Sequence, residues 1–542
     1  MSELSREAES RSDDSRDRAF LAKYQGNPAY FGNPDGARAD LRDFIELADV
    51  HWRGMDRSFN ASVRAVIGPK GSGKTLYLRK LTARLRENPS LVLSDATQVV
   101  IHESPPTRLL LSDHVVKVGT LFTESSLTEI WQLLWGRSII SAAATHLAFH
   151  KDLRGHLRPE DRQALLSDFS HLLGRRVAAP RSPLTALKAL IDRFDKAQGL
   201  AKHLNDASWD DLEDRVTDIL ADCPPLVFVI DAIDDDFGHA PNYWARCQKG
   251  LFYETMRLLR SRSIGSRLLV LISLRDIVYH AVFRSEHASR YVGDPHLRLL
   301  EWGYGSAKAL LDEKTARVPA AVMRDRPRSS FTDWLGFSEV RNSYGKTESV
   351  YRYALRHTQC LPRDIVNLGN LLGLAWDRAR DSSGLTPELF RAVVSDVATL
   401  SGHVQIGVAA NQVVADEIPA EAVRYGFLPS YLSVDEYRSD RADAIKEIIS
   451  SCGSLRFGRR EFRLLQEAGR DRFAAPDLAS VLWQCGLLGY ESEATGTAVF
   501  FSLDRLGRMR IPPDREEYVL HSSMHEVARV RIGDRPVTPW GP

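Results

Sequence analysis

The sequence predicts an α/β fold: a parallel β-sheet carrying a phosphate-binding loop, with a helical insertion, a helical lid and a C-terminal winged-helix domain. Three observations predict it. Gly68-Pro69-Lys70-Gly71-Ser72-Gly73-Lys74-Thr75 fits the pattern G-x-x-x-x-G-K-[ST] without a mismatch. Leu226, Val227, Phe228, Val229 and Ile230 form an unbroken apolar run that ends in Asp231, as a parallel strand covered on both faces does. A second apolar run, Leu268 to Ile272, follows a helical pattern over residues 244–259. Strands alternating with helices specify a parallel sheet.

The elements follow in chain order. Residues 1–28 form a polar leader dense in both charge signs, expected to be disordered. Gly32, Asn33, Pro34 and Gly36 mark a turn. Leu41, Phe44, Ile45, Leu47 and Ala48 then recur at helical spacing. Val63, Ala65, Val66 and Ile67 form the strand that feeds the glycine loop, and Leu76, Leu78, Leu81 and Leu85 form the helix that leaves it. Residues 92–222 are mostly helical in pattern, with amphipathic stretches around Trp131 and Leu187. The interval between Lys74 and Asp231 far exceeds the dozen or so residues a simple crossover needs, so it holds a helical insertion suited to a partner or substrate. The nucleotide domain spans 29–300. A helical lid over 301–430 comes next, with helices at 349–379 and 386–400. A module over 431–542 has helices near 442–450, 459–466 and 476–485 and a hairpin at 486–490 and 498–501. Three helices and a hairpin are the plan of a winged helix.

The chemistry centres on the loop. Glycines let successive N–H groups close on phosphate oxygens at a helix N-terminus. Residues Gly68 to Thr75 are therefore expected to cradle a nucleotide, Lys74 to reach its β- and γ-phosphates, and Thr75 to hold Mg²⁺. Asp231, at the end of a strand, is the expected second Mg²⁺ ligand. A further acid must polarise the attacking water. Asp234 and Asp235 are the candidates and Asp235 is favoured, although a helix cap or solvent would also suit them. The second strand ends in Ser273-Leu274-Arg275-Asp276. Arg275 either stabilises charge on the transferred group or pairs with an acid such as Asp276.

Bulk properties exclude several classes. The chain has 542 residues, enough for two to four domains, and a net charge of +1, so no global field draws it to nucleic acid or membrane. Five scattered cysteines without a C-x-x-C pair argue for a reducing, cytoplasmic setting and against a disulfide framework or zinc site. The longest apolar stretch, 138–149, is too short to span a bilayer. His146 with His150 and His521 with His525 lack a third ligand. Arg456, Arg459, Arg460 and Arg463 could meet phosphates or simply solvate a helix face.

On these motifs the chain resembles the AAA+/STAND superclass of P-loop NTPases, in particular ORC-like and bacterial STAND-like proteins. The matches are Gly68 to Thr75, the run from Leu226 to Asp235, and the strand ending Ser273-x-Arg275, which is similar to a sensor 1 arginine motif. A fourth is Leu361-Pro362-Arg363-Asp364, similar to a lid segment whose sensor 2 arginine approaches the γ-phosphate; that role falls on Arg363, unless Pro362 only opens a helix and Arg363 faces water. The resemblance covers residues 30 to 400 and implies an ATPase with ATP and Mg²⁺ as cofactors. Such an ATPase would act as a nucleotide-driven switch in DNA transactions or in bacterial, including antiviral, defence. Implied partners are ATP and ADP, a homo-oligomer, an effector protein, and DNA without sequence specificity. Ala232 stands where many relatives place a glutamate base, so slow turnover or a nucleotide-holding scaffold is the alternative, with a small-molecule P-loop kinase third. The helix at 476–485 has no Arg or Lys. It is expected to pack against the lid or a partner more than to read bases.

Overall fold

The structure, a computed structural model, describes residues 30–39, 62–103, 112–172, 181–231, 241–283, 290–291, 293–318, 329–379, 384–425, 434–473, 477–501, 510–533 and 535–537. The leader 1–28, the helical pattern at 41–48, Ala232, Asp234 and Asp235 lie outside these residues.

Strands β1 (Ala65–Gly68), β2 (Val100–Glu103), β3 (Leu226–Ile230), β4 (Leu268–Arg275) and β5 (Leu297–Leu299) form a parallel sheet in the order β2-β3-β4-β1-β5. Its three central strands are β1, β3 and β4, the ones the apolar runs predict. All residues of these strands are buried. The edge strands β2 and β5 escape the apolar pattern, because each is short and carries a polar residue, His102 or Arg298. β2 also falls inside the interval expected to be mostly helical.

Side chains alternate between two cores, as the pleat requires. Val66, Val227, Val229, Leu269 and Leu271 face one layer with Tyr77, Leu78, Leu81 and Leu85 of the helix Lys74–Glu87. Ala65, Ile67, Phe228, Ile230, Val270 and Ile272 face the other with Trp131, Trp135 and Phe252. Those three rings come from the helices Glu124–Phe149 and Pro241–Arg260. The Trp135 indole N–H donates to the Cys247 carbonyl at 3.0 Å. Buried Glu254 binds Arg257, which also binds Glu213 on the helix Ser208–Ala221. The inserted helices are thus a wall of the main core.

A third core gathers Phe31, Leu310, Trp334, Leu355, Leu368, Leu372 and Val394. They come from the turn at 30–39, the helices Tyr304–Ala316, Phe331–Leu335, Val350–Arg356 and Pro362–Arg378, and the start of the 39-residue helix Pro387–Tyr425. A small antiparallel hairpin, β6 (Glu339–Arg341) and β7 (Thr347–Ser349), interrupts this helical region. The turn locks into the helix Pro362–Arg378. A Cβ on Gly369 would meet the Phe31 ring at 2.0 Å, and one on Gly373 the Tyr30 ring at 2.0 Å. Glycine is needed at both because any side chain there would displace an aromatic ring. Phe31 N–H donates to Asn370 Oδ1 at 2.8 Å, and Asn370 Nδ2 donates to the Gly32 carbonyl at 3.0 Å.

The fourth core joins Ile406 to Val413 of the long helix to three helices, Val434–Ser451, Arg459–Arg472 and Leu478–Gln484. Against them lies an antiparallel sheet in the order β10-β9-β11-β8. Its strands are β8 (Arg456–Gly458), β9 (Leu488–Glu491), β10 (Ala498–Val499) and β11 (Glu517–Leu520). Phe462 stacks on Tyr518 with ring centroids 3.8 Å apart. β8 and β11 add to the expected hairpin.

Candidate nucleotide site

The glycine loop has the required local geometry. Gly71 and Gly73 take φ values of +93° and +96°, which an L side chain rarely adopts. Gly73 sits at the N-cap of the helix Lys74–Glu87. The Lys74 ammonium donates to the Gly68 and Pro69 carbonyls at 2.9 and 3.0 Å, curling back over the start of the loop. A concave turn with positive-φ glycines, a helix N-terminus behind it and a lysine folded across it fits a nucleotide's phosphates. Thr75, half-buried in the helix's first turn, and Asp231, half-buried one residue beyond β3, would supply the protein's ligands to Mg²⁺. Mg²⁺ commonly takes only one or two protein oxygens and fills its shell with water and phosphate. Bound there, Mg·ATP would bring a phosphoanhydride open to hydrolysis.

Sheet register assembles the rest. β4 lies between β1 and β3, and Gly68 pairs with Arg275. The end of β4 therefore stands beside the first residue of the loop, as ligand positions at the carboxyl ends of parallel strands do. Arg275 is only 6% exposed, and its guanidinium lies 5.7 Å from the Trp244 ring centroid. It is a buried cation, not one on the surface. Asp276 follows directly. Burial raises its carboxyl above the ordinary carboxylate range, against the opposing pull of Lys74 and Arg275.

The lid reaches the loop from the other side. The Arg363 backbone N–H donates to the Gly71 carbonyl at 3.3 Å. A Cβ on Gly71 would stand 3.0 Å from the Arg363 Cβ. Pro362 does open the helix Pro362–Arg378, yet Arg363 lies against the loop and is half-buried. Asp364 accepts the Gln359 N–H at 2.9 Å, and burial pushes its carboxyl up to about 6. The Trp302 indole N–H donates to the Ser72 carbonyl at 3.0 Å.

The C-terminal module also meets the loop. Every residue of the helix Leu478–Gln484 is buried. Gln484 accepts from Gln412 Nε2 at 2.8 Å. Gln484, Cys485 and Gly486 share a cavity of about 140 Å³ with Pro69, Lys70, Arg275 and Asp276. A second tie runs from His521 Nε2 to the Thr358 carbonyl at 3.1 Å. Its Nδ1 lies 3.3 Å from the donating Ser523 N–H, so the imidazole is neutral, and burial lowers it to about 4.

Sequence reasoning missed Asp276 as more than a partner for Arg275, and missed Trp302. Both lie where strands end, which the motif alone does not reveal. Of the four arginines that could meet phosphates or solvate a helix face, Arg456 does neither. It is 9% exposed and bound to Glu491 and Glu517. Arg459, Arg460 and Arg463 are exposed. His146 packs edge-on against His102 and tilted against His150, and burial lowers it to about 4. Among the described residues no group of three His, Cys, Asp or Glu is placed to hold a metal. None of their helices is long and apolar enough to cross a membrane.

No family model and no curated protein matches the chain. Solved structures resemble it distantly, two of them as follows. The ORC2 protein of Aeropyrum pernix, in ADPNP–ADP complexes, gives a TM-score of 0.32 at 11% identity over 86% of this chain and 92% of that one. Drosophila ORC bound to DNA gives 0.28 at 9% identity over 93% and 92%. Neither is close enough to assign a function.

Proposed function

We propose that the protein binds Mg·ATP at the loop Gly68 to Thr75 and works as a nucleotide-driven switch with ATPase activity, of the AAA+/STAND type. One observation carries this reading: the glycine loop touches the lid through Gly71 and Arg363 and shares a cavity with the C-terminal module through Pro69 and Lys70. Three units meeting at one phosphate-binding loop can be moved by what the loop holds. The nucleotide domain runs over 29–300, the lid over 301–430 and the winged-helix-like module over 431–542. Arg275 and Arg363 face the γ-phosphate from strand end and lid. Thr75 and Asp231 hold Mg²⁺, and Asp235 or Asp234 orients the attacking water.

The output is a change in the packing of the C-terminal module, coupled to a homo-oligomer, an effector protein or DNA, in cytoplasmic DNA transactions or defence. DNA would be held through phosphates by Arg459, Arg460 and Arg463, without base readout, since the helix Leu478–Gln484 is buried. A second reading, a scaffold that holds nucleotide with very slow turnover, is favoured by Ala232. Hydrogen exchange of residues 478–490 and 518–525 with ATP, with ADP and without nucleotide tests the switch. The switch requires protection there to differ between ATP and ADP; identical protection in all three states refutes it.

A further inference from the structure

Asp276 stands beside two cations, half-buried Lys74 of the loop and buried Arg275 at the end of β4. The register that pairs Gly68 with Arg275 sets Asp276 one residue past the start of the loop. It opens the helix Asp276–Phe283 and lines the same cavity as Pro69 and Lys70. The position of Lys74 shows which end of a nucleotide this is. A loop lysine reaches the β- and γ-phosphates, and its ammonium here lies over the Gly68 and Pro69 carbonyls. The Gly68–Lys70 side is thus the γ-phosphate side.

Resting on the nucleotide reading above, we propose that Asp276 determines the preference between ATP and ADP: its carboxylate is the counter-charge to Lys74 and Arg275 when no third phosphate is present, and it takes up a proton when one arrives. A diphosphate ends short of this corner and leaves the carboxylate ionised. A triphosphate brings further negative charge into it, and two like charges in a part-buried corner cannot both stay ionised without loss of affinity. Lys74 from the loop, Arg275 from its own strand and Cys485 from the C-terminal module interact electrostatically with Asp276. Lys70 and Glu301 complete the charged lining of the cavity. The two cations favour the ionised form and burial, the larger influence, opposes them, so negative charge added to this corner pushes the carboxyl further toward its protonated form. Asp276 acts through Lys74 and Arg275 and is a positioning and specificity residue.

The test is isothermal titration of the full chain with Mg·ATP and Mg·ADP at pH 6 and pH 8.5, in buffers of different ionisation enthalpy. Wild type should take up a proton with ATP but not with ADP, and its preference for ATP should rise about tenfold as pH falls. Asp276→Asn should tighten ATP relative to ADP about tenfold at pH 8.5 and abolish both the pH effect and the proton uptake. Asp276→Glu should keep both. A merely structural helix cap would lower the melting temperature of Asp276→Asn without moving these ratios. Equal proton uptake with ATP and ADP in wild type, which needs no variant to measure, overturns the proposal while leaving the nucleotide reading intact. Wild type that binds neither nucleotide overturns both.

Discussion

In the α/β core the polar groups of interest sit at the open, carboxyl end of the sheet. Lys74, Arg275 and Asp276 converge there around a loop whose Gly71 and Gly73 take positive φ. In the C-terminal module the polar groups point the other way. Gln484 and His521 are 3% and 2% exposed and bind the long helix and the lid segment at Thr358. The helix in the place of a groove reader has no exposed residue. On the proposed reading, one region receives a small anion, while the other is held by its own chain. A switch needs that pairing: a site that a ligand fills, and a packed unit whose contacts the filled site can alter.

The contrast breaks first at the module's core. Trp483 is 1% exposed at the centre of the buried helix. Trp483→Ala should lose about 3–5 kcal/mol of stability and release the module in denaturant titrations before the α/β core unfolds. A single transition at unchanged midpoint would show that the helix is not the anchor.

Three arginines sharpen the contrast within the module. Arg456→Ala removes the buried one of two arginines that hold Glu491 and Glu517 and leaves them to the half-exposed Arg535; it should cost about 1–3 kcal/mol. The exposed Arg460 and Arg463 should change stability by less than about 0.5 kcal/mol when both become Ala. If DNA binds, that double variant should flatten the salt dependence of affinity by about two contacts. Equal stability losses in the two variants would erase the distinction between structural and surface arginines.

His521 extends the comparison to pH. Burial depresses its imidazole from 6.5 to about 4, so its contribution is present above about pH 6.5 and is lost as pH falls toward 4. It amounts to about 3 kcal/mol at most. His521→Gln should be less stable than wild type at pH 7.5 and lose less on acidification over that window. Parallel stability curves for the two proteins would remove His521 from the contact.

Much of the core was legible in the sequence because its central strands are continuous apolar runs that end in functional residues. Val66 and Val227, Ile67 and Phe228 need only alternate to meet helices on both faces. The edges were not legible, because β2 and β5 are short and His102 and Arg298 break their pattern. In the candidate site, Gly68 to Thr75, Asp231, Arg275 and Arg363 are nameable from motif and strand end. What no local pattern carries is register and docking. The pairing of Gly68 with Arg275 puts Asp276 in the site, and the notch at Gly369 and Gly373 seats Phe31 and Tyr30. The predicted packing role of the helix at 476–485 follows from its lack of Arg and Lys, and the observed burial of Leu478–Gln484 accords with it.

The loop itself offers the most direct measurement: Mg·ATP binding to wild type and to Lys74→Ala, with melting temperature recorded for both. Lys74 is half-buried and hydrogen-bonded to its own loop's carbonyls, so its removal should leave stability within about 1 kcal/mol. The nucleotide reading predicts saturable ATP binding by wild type and at least a tenfold loss in the variant at similar melting temperature. Equal ATP affinity in the two proteins, or no binding by wild type, would contradict it.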